Sequence, residues 1–280
     1  MSARVDSLLL KVASALGLEI VGELGGGEFG AALVRDADGR ELVLKALPGG
    51  TAAAGMARGA RLSARVRSAD YPVPEYVGTG VAAGASWSLQ ERLPGEIPEP
   101  MTMAHLDQLL GFLDRNRDAA DEDGDVLGHY RPWLDTALDP LLADDRTASL
   151  AAKLAAVVAG ADDVAFRRGD VVHGDLHHRN FLAVGDRVTA VFDWEGAWVG
   201  DWRVDLVNFA DWGRWNHQIP DDVGARLGAL AEEACEPRVL AVLAAIHATS
   251  TTGFYLDVHP DWVEHHVANI EATTASWLAV

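Results

Sequence analysis

The chain is short of cysteine, of long apolar runs and of positive charge. Its single cysteine, Cys235, cannot close an internal disulfide, so nothing marks a secreted, disulfide-held domain. Its helical surroundings instead suggest a small buried residue. No uninterrupted apolar run approaches the roughly 18 residues that a membrane span needs. At the N-terminus, Val5, Leu8, Leu9, Val12 and Leu16 recur at helical spacing, while Asp6 and Lys11 break the apolar region a signal peptide would require. That stretch is expected to be an amphipathic helix of a soluble, cytoplasmic protein. With 42 Asp+Glu against 23 Lys+Arg the formal net charge is −19, which excludes nucleic acid or an anionic membrane as the main partner.

Several catalytic signatures are also missing. There is no G-x-x-x-x-G-K-[ST], which excludes a P-loop nucleotide site, and no G-x-S-x-G nucleophile turn. H-E-x-x-H and paired cysteines are absent too. His173, His177 and His178 cluster, but Asp175 stands where an H-x-H-x-D-H hydrolase needs its second histidine, so a zinc site is disfavoured.

What is present begins with size. At 280 residues and 49% hydrophobic composition the chain can bury a large core, as one large domain or two lobes. After the first helix, Leu18–Leu24, Ala31–Arg35 and Glu41–Leu47 read as strands, with Asp38-Gly39 a hairpin signal between the last two. Gly25, Gly27 and Gly30 form G-x-G-x-x-G. A dinucleotide-binding fold would continue into a helix there. A hairpin follows instead, which suits a glycine-rich loop folded over phosphates between antiparallel strands. Lys45, on the third strand, could then reach the nucleotide phosphates. Thr51–Ala69 reads as a helix without a single acidic residue. The segment 87–93 reads as a strand running into Pro94-Gly95. That joint fits a hinge whose backbone, at Glu91 and Leu93, is open to a purine, or else an ordinary strand and turn.

Charge divides at this joint. Residues 1–95 hold 10 Lys+Arg and 10 Asp+Glu, so all of the net −19 falls in residues 96–280. A negative field over one lobe would draw in a cationic acceptor. An acidic style throughout the source organism's proteins is the plainer explanation, and the neutral first part weakens it. Further helices are expected over 102–117, 144–159, 206–215, 222–234, 238–249 and 261–278.

The most informative stretch is VVHGDLHHRNFLAVGDRVTAVFDWEGAWVGDWRVDL, residues 171–206. Short strands there could bring Asp175, Asn180 and Asp193 to one place, as phosphoryl transfer requires. Asp175 would orient an acceptor hydroxyl and take its proton, while Asn180 and Asp193 would supply hard oxygen ligands for Mg²⁺. His173 and Asp205 would support the loop. Of nine tryptophans, Trp194, Trp198, Trp202, Trp212 and Trp215 fall within 22 residues of one another. Most are expected in the core, with one or two left to stack on a guanidinium or a sugar.

At this point H-G-D-L-H-x-x-N, F-D-W and G-D-x-x-x-D-L resemble the aminoglycoside phosphotransferase family, closely over 171–206 and moderately over 22–95. The resemblance implies an α+β, two-lobed protein-kinase-like fold: a small antiparallel β lobe with a helix over residues 1–95, and a larger, mainly helical lobe over 96–280. It implies an ATP- and Mg²⁺-dependent O-phosphotransferase with Asp175 as catalytic aspartate, Asn180 and Asp193 on the metal and Lys45 on the nucleotide. The chain departs from the pattern at His178-Arg179, usually Pro-Gly, and at Trp202, usually Pro. It also lacks the glutamate that normally follows on the next helix to pair with the lysine. Arg58 or Arg61 falls near that place, so Lys45 needs another partner, with Glu28 and Asp193 in reach. The acidic second part suggests a hydroxyl-bearing polycationic antibiotic, an aminoglycoside or a basic tuberactinomycin-type cyclic peptide, met by Glu195, Asp211, Asp257, Asp261 and Glu264. The alternatives are a kinase for an amino sugar, choline-like or homoserine-like metabolite, and an inactive nucleotide-binding module. Either a monomer or a homodimer fits.

Overall fold

The computed structural model describes residues 2–24, 30–68, 70–215 and 218–279. In chain order the first elements are α1 (Ser2–Ala15), β1 (Glu19–Leu24), β2 (Ala31–Arg35), β3 (Glu41–Pro48), α2 (Ala53–Val66), β4 (Tyr76–Ala82) and β5 (Ala85–Glu91). Three helices follow, α3 (Met103–Arg115), α4 (Val126–Ala143) and α5 (Ala148–Ala159). Short strands come next: β6 (Asp170–Val172), β7 (Phe181–Val184), β8 (Arg187–Val191) and β9 (Trp198–Gly200). The chain ends in α6 (Arg203–Trp215), α7 (Asp221–Ala234), α8 (Pro237–Val258), α9 (Val263–Thr273) and α10 (Ala275–Leu278).

These elements form two units. One holds Met1–Ile97 and Arg179–Trp198, the other Pro98–His178 and Val199–Val280. The sequence suggested a single cut near residue 95. The chain first passes between the units at residues 97–98, and the segment 179–198 belongs to the first because its backbone is bonded there. Glu96 and Ala183 exchange N–H···O bonds of 3.1 and 2.9 Å, and the Val191 N–H donates to the Pro72 carbonyl at 2.8 Å.

In the first unit β1–β5 form one antiparallel sheet in the order β1-β2-β3-β5-β4. The period of two sorts its faces. Ala32, Val34, Leu42, Leu44 and Ala46 point to one side, where Leu9, Val12 and Ala13 of α1 cover them. Leu44 is fully buried, and burial of that one side chain is worth about 2 kcal/mol. Lys45 lies between Leu44 and Ala46 and so faces the other way, directly paired with Ser88 of β5, and Gln90 shares the Ser88 face two residues on. The β2–β3 turn closes as its sequence suggests: Gly39 sits at φ +83°, and the Asp36 carboxylate accepts from the N–H groups of Asp38 and Arg40. Helix α2 buries Met56, Gly59, Leu62 and Val66.

The second unit is helical. A capping box starts α3: the Thr102 hydroxyl accepts from the His105 N–H, and the His105 ring accepts from the Thr102 N–H. Helix α4 went unpredicted because Pro132 and Pro140 interrupt it, and proline normally ends a helical pattern. The expected 238–249 helix extends to residue 258. This helix, α8, is long and apolar enough by composition to cross a membrane, but 72% of its most apolar window is buried, as in the core helix of a globular unit. The expected 261–278 helix is divided into a 3₁₀ turn, α9 and α10. Trp202, in the place of the usual proline, is buried beneath the Arg117 guanidinium at 4.3 Å.

Candidate functional site

Three charged groups of the first unit meet on the Lys45 face of the sheet. Lys45 Nζ donates to Asp193 Oδ1 at 2.5 Å and to Glu195 Oε2 at 3.4 Å. The other Glu195 oxygen, Oε1, accepts from Ser88 Oγ and from Gln90 Nε2, both at 2.8 Å. Burial by itself would lower the Lys45 ammonium. The Glu195 and Asp193 carboxylates outweigh it and hold the ammonium above its ordinary value. Glu195 is raised, chiefly by burial, against the pull of Lys45. Of the two partners available to Lys45 in the sequence, Asp193 is one; Glu28 lies outside the described residues, as do Gly25 and Gly27.

The β7–β8 hairpin brings Asn180 and Asp193 to its open end. Phe181 pairs with Val191, and beyond that pair the Phe192 N–H donates to the Asn180 carbonyl at 3.0 Å. Asn180 therefore immediately precedes one strand, while Asp193 closely follows the other. Asp193 sits at φ +69°, ψ 48°, left-handed backbone that costs energy in any residue with a Cβ. That conformation turns the chain at once into the 3₁₀ turn Trp194–Gly196. One amide oxygen and one carboxylate suit Mg²⁺, which commonly takes one or two protein oxygens and completes its shell with phosphate and water. Among the described residues no group of three or more His, Cys, Asp or Glu forms a closed metal cage. The donor set fits a nucleotide-borne Mg²⁺ and does not fit zinc.

In the second unit the loop bearing Asp175 hangs from a buried carboxyl. Asp205, fully buried at the start of α6, accepts from the His173 N–H at 2.7 Å and from the Gly174 N–H at 2.8 Å. Its pKa is pushed up to about 7, mainly by burial. Gly174 lies at φ +85°, which lets the chain turn, and the Asp175 N–H donates to His173 Nδ1 at 3.3 Å. His173 thus serves the loop backbone. Asp175 itself is open, with 58% of its side chain exposed, and His177 Nε2 stands 3.7 Å from its Oδ1. The His177 ring leans on Trp212 at 5.4 Å, and His178 Nε2 bonds Gln218 Oε1 at 2.9 Å.

The remaining expected nucleotide positions divide. Gly30 has φ +67° at the end of the glycine-rich loop. The Glu91 N–H donates to the Glu75 carbonyl at 2.8 Å, which leaves its carbonyl as the group that could meet a purine. Leu93 has no backbone hydrogen bond among the described residues. Gly95, at φ +119°, lies so close to Thr189 and Ala183 that a Cβ there would stand 2.6 Å from Thr189 Oγ1.

Two of the five suspected acceptor acids are corrected. Asp211 is fully buried; His247 Nδ1 bonds one oxygen at 2.8 Å and the Thr274 hydroxyl donates to the other at 2.6 Å. Glu195 is turned to Lys45, Ser88 and Gln90. Asp257, Asp261 and Glu264, around the end of α8 and the start of α9, are exposed. Trp194, Trp198 and Trp202 are buried, as tryptophans at this spacing usually are. Sequence reading missed Ser88 and Gln90. The alternation of β5 carries a signal, since two polar residues recur at period two on the face shared with Lys45.

The model of the phosphotransferase enzyme family matches residues 23–239. Hygromycin-B 4-O-kinase of Escherichia coli is 26% identical over an alignment of 216 residues that covers 69% of this chain and 62% of that protein's length. A thermostable mutant of aminoglycoside phosphotransferase APH(4)-Ia, solved in ternary complex with AMP-PNP and hygromycin B, superposes with TM-score 0.71 at 21% identity, covering 98% of this chain and 99% of that one. Macrolide 2'-phosphotransferase MphH of Brachybacterium faecium superposes with TM-score 0.53 at 18% identity, covering 97% and 98%. The likeness confirms the α+β architecture of aminoglycoside kinases, with a small antiparallel N-terminal sheet and a larger helical C-terminal part. With the family match running from β1 into α8, the chain belongs to the phosphotransferase enzyme family.

Proposed function

We propose that this chain transfers the γ-phosphoryl group of ATP to a hydroxyl of a cationic antibiotic, an aminoglycoside or a basic tuberactinomycin-type cyclic peptide. The observation that carries the reading is the Lys45–Asp193 pair at 2.5 Å, with Asp193 on left-handed backbone and Asn180 beside it at the end of one hairpin. A strand lysine, a carboxylate and an amide are the groups that hold and neutralise a nucleotide's phosphates in kinases.

Asp175 would orient the acceptor hydroxyl and accept its proton, and its carboxylate is exposed enough to meet a bulky substrate. Asp205 keeps the loop in place from below. Lys45 would bind the nucleotide phosphates, and Asn180 and Asp193 would hold Mg²⁺. When bound, that ion offsets charge on the phosphoryl group in flight. The acceptor class is supported by the placement of all the excess negative charge in residues 96–280, which favours encounter with a polycation. Asp257, Asp261 and Glu264 remain as exposed acids that could meet its amines. The E. coli relative named as a hygromycin-B kinase is consistent with that class.

The test is protection. A sensitive host expressing the chain should survive raised doses of at least one basic antibiotic in a panel of aminoglycosides and cyclic peptides, hygromycin B included. No protection by any member, with the protein present and folded, would remove the antibiotic reading in favour of a metabolite kinase.

A further inference from the structure

Kinases of this general design hold their strand lysine with a glutamate from the following helix. Here α2 and its flanks, residues 46–69, contain no acidic residue. Where α2 meets the turn after Asp193 it presents Gly55 and Gly59 instead. A Cβ built on Gly59 would stand 2.0 Å from the Trp194 carbonyl oxygen, and one on Gly55 would touch the Glu195 carbonyl at 3.4 Å. The turn after Asp193 therefore occupies the space that a side chain from this face of α2 would fill. Arg58, near the place of the usual glutamate, fastens that turn to the helix by donating to the Ala197 carbonyl at 2.8 Å.

The same turn carries Glu195, whose carboxylate is oriented before any ligand arrives. Ser88 and Gln90, neutral donors fixed on β5, take Oε1 and leave Oε2 directed at Lys45. We propose that Glu195 is the positioning residue for Lys45, supplied by the turn after Asp193 in place of a glutamate on α2. The inference rests on the phosphotransferase reading. Asp193 is the nearer partner of Lys45 in this structure, and it is also the residue that reading assigns to Mg²⁺. Glu195 is then the carboxylate that stays with the lysine while Asp193 serves the metal. One consequence is that the lysine's partner is covalently two residues from Asp193, so the pair needs no movement of α2 to form.

The experiment is a double-mutant cycle on nucleotide binding, read by titration calorimetry with Mg²⁺ and AMP-PNP on the full chain. Wild type should bind. Glu195→Gln, which keeps the shape and removes the charge, should bind roughly tenfold more weakly with little change in unfolding temperature. Lys45→Met should also bind more weakly, and the Lys45→Met, Glu195→Gln double variant no more weakly than Lys45→Met alone. Unchanged binding by Glu195→Gln, or losses that multiply in the double variant, would overturn the inference while leaving the phosphotransferase reading intact. Failure of wild type itself to bind would overturn both. Should Glu195→Gln fail to fold, Ser88→Ala replaces it: removing one of the two donors that orient Glu195 Oε1 should weaken binding a few-fold, and unchanged binding counts against the proposal.

Discussion

Glu195 and Asp193 in the first unit share one ammonium, and both keep some contact with solvent. The second unit holds its inner carboxylates quite differently. Asp170 and Asp201, with no exposure, are closed by Arg167 and Arg203 and by backbone N–H groups. Asp211 is closed by His247 and Thr274, and Asp205 by two loop amides without any cation. In the second unit each of these four is bonded by protein groups, which is what a fixed scaffold requires. In the first unit two carboxylates compete for one lysine, an arrangement that an incoming phosphate and its cation can redistribute. Asp175 adds a third kind, open and mounted on a loop that a buried carboxyl secures.

The comparison can be broken at each point, beginning with the largest effect. Asp175→Asn should lower turnover by about a thousandfold while leaving the unfolding temperature and nucleotide affinity nearly unchanged, as steady-state kinetics and calorimetry would show. Asp211→Ala should do the reverse. It leaves His247 and Thr274 without their buried acceptor and should cost about 3 kcal/mol in denaturant unfolding. A stable Asp211→Ala would mean that the cluster is not scaffold. Gly59→Ala should destabilise by about 1–3 kcal/mol, since its methyl group cannot coexist with the Trp194 carbonyl at 2.0 Å.

A pH effect sharpens the scaffold side. Burial holds His266 down at about 4, from an ordinary 6.5, beside a stacked Tyr255 ring at 4.3 Å. The unfolded chain takes up this proton near pH 6.5 and the folded one only near 4, so stability falls as pH drops through that window. Unfolding of His266→Phe followed from pH 7 to 4 should show a shallower loss than wild type. Equal slopes would place the acid sensitivity elsewhere.

Much of this was legible in the sequence, for reasons particular residues make plain. The strands β1–β3 and the Asp38-Gly39 turn follow from alternation and turn chemistry, both local. Asp175, Asn180, Asp193 and Asp205 stood out because a loop between short strands compresses them into one stretch. What escaped was set by partners far along the chain. Glu195 looked like an acceptor acid because Ser88 and Gln90 lie more than 100 positions away. Asp211 looked like a surface acid on a helix until His247 and Thr274 closed over it. Helix α4 was hidden by two prolines that its own local pattern could not overrule. The glycines of α2 showed only that side chains were lacking, and their purpose appears once the Trp194–Glu195 backbone is seen against them.

The central claim is phosphoryl transfer to a cationic hydroxyl compound, and phosphorus NMR tests it most directly. Wild type incubated with Mg²⁺, ATP and an antibiotic panel should consume ATP and yield a new phosphate-monoester resonance on at least one antibiotic, and Asp175→Asn should yield none over the same period. A wild-type protein that binds nucleotide yet forms no phosphate ester on any basic antibiotic, or an Asp175→Asn variant as active as wild type, would contradict the account.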